Sequence, residues 1–306
     1  MRENELLDHI YRRSAGLSQG WPAVVVGPGD DCAVVREGGG GLTLLKVDQL
    51  VEGRHYRSGT DPALIARKAI ARPLSDLAAM AGVPRAALVA AVLPDGFSGA
   101  DELFDHLSRA SRGLGCPLVG GDLSSGPRGA PLVLSVTMVG EPHAVRGPVL
   151  RSGARPGDRV YVSGVLGGSF DPATGGGRHL TFEPRIELAT ELATTLGDEL
   201  TAMMDLSDGL GIDGDRLSRA SGVKMLIEMH RVPAHPDACG VASILGDGED
   251  YELLFTAGPG VTVPNELAGV TLSMIGTVVE GAGCLVQGED GWRDAGGYGF
   301  EHGARC

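Results

Sequence analysis

Carboxylates recur in this chain where packing gains little from them. Asp30 and Asp31 stand in Gly-Asp-Asp (29–31), and Asp122 in Gly-Gly-Asp (120–122). Asp205 and Asp208 share Asp-Leu-Ser-Asp-Gly (205–209), and Glu249 and Asp250 follow Gly248. Asp48 and Asp76 add to the set in Val-Asp and Ser-Asp contexts. A carboxylate in a glycine turn serves a core poorly but suits a hard cation, which takes oxygen ligands. Several such groups converging repel one another unless divalent ions neutralise them. Mg²⁺ ions held this way bridge to nucleotide phosphates and offset the charge of phosphoryl transfer. At any single site, ordinary Asp-Gly turn chemistry explains the residues equally well. The recurrence carries the metal reading.

The P-loop and protein-kinase designs are absent. The lysines are Lys46, Lys68 and Lys224, and none follows a glycine, so no P-loop Gly-Lys-Ser/Thr exists. There is no His-Arg-Asp and no Asp-Phe-Gly. Gly164 to Gly168 follows a strand-like segment but lacks the Gly-x-Gly-x-x-Gly spacing. A nucleotide must therefore be held by metal ions, arginines and backbone amides. His230, His235 and Cys239 fit no standard zinc spacing, and a loop explains them better.

The 306 residues include 26 basic and 39 acidic side chains, a formal net charge of −13. Such a chain is disfavoured as a partner of nucleic acid or an anionic membrane, both being polyanions. Aromatic residues are 4% of the total, too few for base-stacking platforms. The five cysteines are scattered without a Cys-x-x-Cys pair, which argues against a disulfide scaffold or a zinc ribbon. The mixed-charge start and the absence of a long apolar run point to a cytoplasmic protein without a membrane partner.

Leu6, Leu7, Ile10 and Tyr11 predict a short amphipathic helix, and Cys32–Val35 and Leu42–Leu45 predict strands hinged at Gly38–Gly41. Asp61-Pro62 predicts a helix start. Pro73 is expected to break that helix, leaving one over 63–71 and another over 74–80. A helix over 101–114 and a strand over 132–139 follow, with Leu118-Val119 a short strand leading into Gly-Gly-Asp. The second half alternates a strand (159–163), a helix (184–196), the acidic loop 205–209, a helix, and strands over 225–229 and 251–256. A boundary near 145–155 divides the chain into domains 1–147 and 148–306. The fold class is two-domain α/β, or α+β.

Longer stretches carry a family likeness. They are GDDCAVV (29–35), VDQLVEGRHY (47–56), LSDLAAM (74–80), GGD (120–122), RSGARPGDRVYVSG (151–164), DLSDGL (205–210), GEDYELLFT (248–256) and IGTV (275–278). With these the chain resembles the thiamine-monophosphate kinase family, of the aminoimidazole ribonucleotide synthetase-like superfamily. The resemblance implies an N-terminal α+β domain whose sheet pairs across a homodimer, followed by a C-terminal α/β domain. It implies ATP and thiamine phosphate as substrates, thiamine diphosphate as product, and several Mg²⁺ ions. The implied metal ligands are Asp31, Asp48, Asp76, Asp122, Asp205 and Asp208. Gly121, Asp122, Arg151 and Ser207 would hold ATP, and His55, Glu249 and Phe300 the thiamine phosphate, with no catalytic group beyond metal and phosphate positioning. Phe300 matches through the ending Gly299-Phe300-Glu301-His302.

The chain departs from the family pattern in identifiable places. Lys46-Val47 replaces Ser-Thr, Arg72-Pro73 replaces Val-Asn, Leu123-Ser124 follows Asp122 where two threonines are usual, and the stretch 164–178 is short. Lys46 puts an ammonium beside a cation site, where it either replaces one Mg²⁺ or meets a phosphate. Two alternatives stay open: a related ATP-dependent enzyme with another acceptor, and a drifted, non-catalytic binder of nucleotide or thiamine phosphate.

Overall fold

The computed structural model describes residues 3–288 and 291–300. The first half runs α1 (Glu3–Ser14), α2 (Leu17–Gly20), β1 (Val24–Val26), β2 (Ala33–Arg36), β3 (Leu42–Val51), α3 (Pro62–Ala79), β4 (Gly82–Pro94), α4 (Ala100–Gly113), β5 (Leu118–Gly126) and β6 (Val133–Pro142). Its strands form one sheet in the order β1-β2-β3-β6-β4-β5. The hairpin expected at Gly38–Gly41 is present, with Val34 opposite Leu44. Only β4 and β5 pair in parallel, because α4 carries the chain back between them.

Strand alternation decides what this sheet covers. Leu44, Leu50, Val89, Ala91, Leu134, Val136 and Met138 point into the core under α3 and α4. On the other face apolar residues stand bare beside the polar Gln49, Ser135 and Thr137: Val47 and Val119 are 62% exposed, and Leu45 and Leu88 38%. An antiparallel sheet facing water on one side normally alternates apolar with polar residues. This outer face carries polar residues but leaves more apolar surface bare than that pattern does.

Asp61 caps α3 as expected, its carboxylate accepting from the Ala63 amide at 2.8 Å. The break expected at Pro73 does not occur: α3 is one helix from Pro62 to Ala79 with Pro73 inside it. An interior proline costs about 3 kcal/mol. Here both flanks of Pro73 are sequestered, with Ile70, Ala71, Leu74, Leu77 and Ala78 all buried. Burying a large aliphatic side chain is worth about 1.5–3 kcal/mol, so tertiary packing outweighs the local rule.

The second half runs β7 (Arg159–Ser163), α5 (Ile186–Leu196), β8 (Leu200–Asp205), α6 (Leu210–Ser221), β9 (Lys224–Glu228), α7 (Val241–Gly246), β10 (Leu253–Ala257), β11 (Glu266–Leu267), β12 (Val270–Val279), β13 (Gly283–Gly288) and β14 (Gly291–Asp294). Its sheet has the order β14-β13-β9-β12-β7-β10-β8, with β11 on β12. Every residue of β8 and β10 is buried, since both faces of the sheet are covered. Leu200 and Met203 join the α5 side with Leu188 and Leu192; Ala202 and Met204 join the α6 side with Leu210 and Leu217. The strand expected from Tyr251 begins at Leu253, because Tyr251 holds a left-handed backbone (φ +52°). Among the described residues no helix is long and apolar enough to cross a membrane.

Candidate functional site

The unbroken α3 has a chemical consequence. Lys68, Arg72 and Asp76 are four residues apart, so one helix places all three on one face. Opposite them lie Lys46 and Asp48, on the side of β3 that also carries buried Leu44 and Leu50. The two rows meet as crossed ion pairs. Lys46 Nζ is 2.5 Å from Asp76 Oδ1, and Arg72 Nε is 3.0 Å from Asp48 Oδ2.

Two further carboxylates arrive from distant chain segments. Asp205 ends β8 and accepts from the Ser75 hydroxyl at 2.7 Å. Asp31 comes from the Gly-Asp-Asp loop and pairs with the Arg151 guanidinium, while Asp30 accepts from the Arg151 amide at 3.1 Å. Carboxylate oxygens of Asp31, Asp76 and Asp205 all lie within 4.8 Å of one another. Asp76 and Asp205, with Asp30 next to Asp31, border a cleft of about 470 Å³ whose walls also carry Asp48, Asp208, Arg151, Ser207, His55, Glu249 and Phe300.

This group resists full ionisation on its own. Burial, reinforced by the charge of Asp31, pushes Asp205 up to about 6. Burial also raises Asp76 well above the usual carboxylate range; Lys46 opposes the shift, while Asp205 and Asp48 add to it. Asp30 is pushed to about 7 by burial and by Asp31, against the pull of Arg151. Asp31 Oδ2 is buried with no hydrogen-bond partner among the described residues. Hard oxygen donors, mutual repulsion and one unpartnered buried oxygen together fit a divalent cation of the Mg²⁺ type.

A second constellation faces the same cleft. Lys68 is fully buried, and its ammonium donates to the His55 carbonyl at 2.6 Å and meets Glu249 Oε1 at 2.6 Å and His179 Nδ1 at 2.7 Å. Burial lowers Lys68 to about 8, with Glu249 limiting the fall. Glu249 is held at about 2: burial opposes its charge, but His179 and Lys68 prevail. Its backbone is left-handed (φ +53°) and its amide donates to the Ser207 carbonyl at 2.7 Å. The Tyr251 amide donates to Leu206 and the Phe300 amide to Asp208. The Asp-Leu-Ser-Asp-Gly and Gly-Glu-Asp turns are thus interlocked, and Phe300 is tied to them. Asp208 pairs with Arg216, which also reaches Asp213; Asp213 in turn accepts from the amides of Asp208 and Gly209.

His55 Nδ1 accepts from the Val51 amide at 2.8 Å, which places the ring proton of neutral His55 on Nε2. Burial and the nearby Arg72 charge lower His55 from 6.5 to about 4, with Glu249 opposing. The unfolded chain therefore binds a proton at this residue at a pH where the folded chain does not. The stability that neutral His55 contributes is lost as pH drops from 6.5 toward about 4. Urea unfolding across that window is expected to show this component as the difference between wild type and His55→Gln, since the raised carboxylates Asp30 and Asp205 contribute the opposite slope to both proteins.

Gly121 and Asp122 are not brought to this cleft within one chain. The strand expected to stop at Val119 continues as β5 to Gly126 and absorbs them. β5 is the far edge of the sheet, three strand spacings from β3, or about 14 Å. Asp122 lines a separate cleft with Val89, Phe104, Leu118 and Leu123. A Cβ on Gly121 would come within 1.9 Å of the Val89 carbonyl oxygen, so glycine is required there for β5 to lie against β4. Glu301 and His302 lie outside the described residues.

Sequence reasoning missed Lys68, His179, Arg216 and Asp213 as members of the site. Lys68 left one trace, a lysine three residues from Ile65 on the apolar stripe of α3. The others satisfy partners through contacts that only the fold creates.

Residues 29–141 match the model of the family described as AIR synthase related protein, N-terminal domain. A thiamine-monophosphate kinase of Rhodopirellula baltica is 34% identical over 298 residues, spanning 90% of this chain and 89% of the relative. One of Aquifex aeolicus is 33% identical over 297 residues, spanning 87% and 92%. Among solved structures, AaThiL complexed with AMPPCP and TMP superposes with a TM-score of 0.80 at 29% identity, covering 99% of both chains. The architecture, the converging carboxylates and these likenesses agree, and the chain belongs to the thiamine-monophosphate kinase family.

Proposed function

We propose that this chain transfers the terminal phosphoryl group of ATP to the phosphate of thiamine phosphate, releasing ADP and forming thiamine diphosphate. The observation that carries this reading is the convergence of Asp31, Asp76 and Asp205 beside a cleft that also holds Arg151, Glu249 and Phe300. A neighbour with the same architecture was solved with AMPPCP and TMP.

Asp31, Asp76 and Asp205 would hold Mg²⁺, with Asp48 and Asp208 on the same walls. Bound there, Mg²⁺ supplies positive charge against that of the phosphates. Arg151 has one arm on Asp31, and its buried Nε lacks an acceptor among the described residues. A phosphate oxygen suits that donor. The accepting phosphate is already anionic, so no side chain has to remove a proton in a loose transfer. Glu249, kept ionised by Lys68 and His179, and the Phe300 ring suit a thiazolium cation. His55 lines the same cleft on the side tied to Lys68.

A homodimer is part of this reading. The bare apolar residues Val47, Leu88 and Val119 on the outer sheet face favour a second copy lying against the N-terminal sheet. Residues 1–147 would then be the dimerising, metal-binding unit and 148–306 its partner domain. Gly121 and Asp122 would belong to the dimer's nucleotide site. ATP as co-substrate suits a cytoplasmic enzyme. Analytical ultracentrifugation is expected to give a dimer, and Leu88→Lys to shift it toward monomer; a wild-type monomer at all concentrations would remove this part.

The test of the activity mixes purified protein, ATP, Mg²⁺ and thiamine phosphate. Thiamine diphosphate is expected, with none formed after chelation. No product under any metal condition rejects the assignment, and tight binding of both substrates without turnover would identify a drifted binder.

A further inference from the structure

Two of the chain's departures from its family pattern each introduce a cation, Lys46 and Arg72, and each cation contacts a carboxylate of the site. The geometry points to Lys46 and Arg72 as resident counter-ions that replace one divalent cation beside Asp48 and Asp76, so that this protein loads one metal ion fewer than its carboxylates would otherwise take. The inference rests on the reading that these carboxylates hold divalent cations, and it concerns how many.

The pairs form a ladder of matched spacing. Residues two apart on a strand rise about 6.8 Å, and residues four apart on a helix rise about 6 Å. Lys46 and Asp48 on β3 therefore register with Asp76 and Arg72 on α3, and the charges cross, positive then negative on the strand against negative then positive on the helix. Leu44 and Leu50, buried at either end of the same strand face, hold the row in place. Arg72 is further fixed by donating to the Gln49 carbonyl at 3.1 Å. Neither cation lies loose in the cleft: side-chain exposure is 23% for Lys46 and 15% for Arg72.

Together the two side chains carry the charge of one divalent ion. With Asp48 and Asp76 so balanced, little attraction remains there for another cation. Asp31 and Asp205 differ. Asp205 is held by a neutral hydroxyl, and Asp31, although Arg151 pairs with its Oδ1, keeps its Oδ2 unpartnered among the described residues, so divalent binding is concentrated on that side.

The test counts Mn²⁺ bound per chain, by electron paramagnetic resonance of the free ion, with AMPPCP present throughout. Wild type is compared with Lys46→Met/Arg72→Met and with Lys46→Ser/Arg72→Val. Both double variants are expected to take up one additional Mn²⁺ per chain, while Lys46→Arg keeps the wild-type count. The mildest change, Lys46→Met alone, is expected to tighten Mn²⁺ binding at least about tenfold. Unchanged count and affinity in folded variants, checked by circular dichroism, would overturn the proposal. So would loss of AMPPCP affinity at an unchanged count, which would assign the two cations to a phosphate. If no protein, wild type included, bound Mn²⁺, the metal reading of the carboxylates would fall first, and this proposal with it.

Discussion

Replacing Lys68 with methionine is expected to lower folding stability by about 3–5 kcal/mol, the usual effect of removing one partner from a buried ion pair. Lys68 is fully buried, donates to the His55 carbonyl, pairs with Glu249 and lies 2.7 Å from His179 Nδ1. Without it Glu249 loses one of the two groups that hold it ionised against burial. The loop carrying His55 loses its tie to α3. The kinetic effect follows the same contacts: KM for thiamine phosphate rises more than kcat falls, since the metal cluster is untouched. Adding Glu249→Gln is expected to restore much of the stability, because no unpaired charge remains, and none of the substrate affinity. Urea denaturation and steady-state kinetics check both. A Lys68→Met protein as stable as wild type would mean that the bridge contributes nothing to the fold.

Asp205→Asn separates stability from activity. Asp205 has its pKa raised to about 6 in the folded protein against 3.8 unfolded. Its ionised form is therefore disfavoured by folding; the contribution is fully present below the unfolded value and is lost as pH rises through the folded one. A rise of that size corresponds to about 3 kcal/mol at most. Metal-free Asp205→Asn is expected to be more stable than metal-free wild type above pH 6, and equal to it in strong acid. Activity moves the other way. Partners outside the ligand shell already cost about 10–100-fold when removed, so a direct ligand should cost about a hundredfold or more in kcat. Added Mg²⁺ stabilises wild type and leaves the variant nearly unchanged. Calorimetric melting with and without Mg²⁺, alongside a product assay, checks this. Full activity in Asp205→Asn would remove Asp205 from the ligand set.

Part of this site was legible because turns deliver polar side chains at the ends of strands. Asp31, Asp205, Asp208 and Glu249 all sit where a glycine-containing loop meets an element, and their neighbours say so without reference to the fold. Asp76 was different: it counts among the carboxylates of the sequence, but inside a helical segment no glycine turn marks it as a site residue. The local rule for Pro73 is sound, and it failed because burial on both flanks of α3 outweighs one lost hydrogen bond. That failure hid the stripe formed by Lys68, Arg72 and Asp76, since a broken helix would not align them. Lys68 and His179 find their partners across the fold, at separations no local pattern reports. Gly121 and Asp122 show the opposite case. Their motif suggested a nucleotide contact, whereas in one chain Gly121 meets a packing requirement between β4 and β5 and Asp122 stands on an edge strand.

The central claim is that aspartates far apart in the chain gather divalent ions around both phosphates in one cleft. Phosphorus NMR of the protein with AMPPCP and thiamine phosphate, titrated with sub-stoichiometric Mn²⁺, tests it most directly. Paramagnetic broadening is expected for the terminal phosphoryl group of the analogue and for the thiamine phosphate together, and Asp205→Asn should abolish both. Broadening of the nucleotide alone, or broadening that persists in Asp205→Asn, would contradict the account.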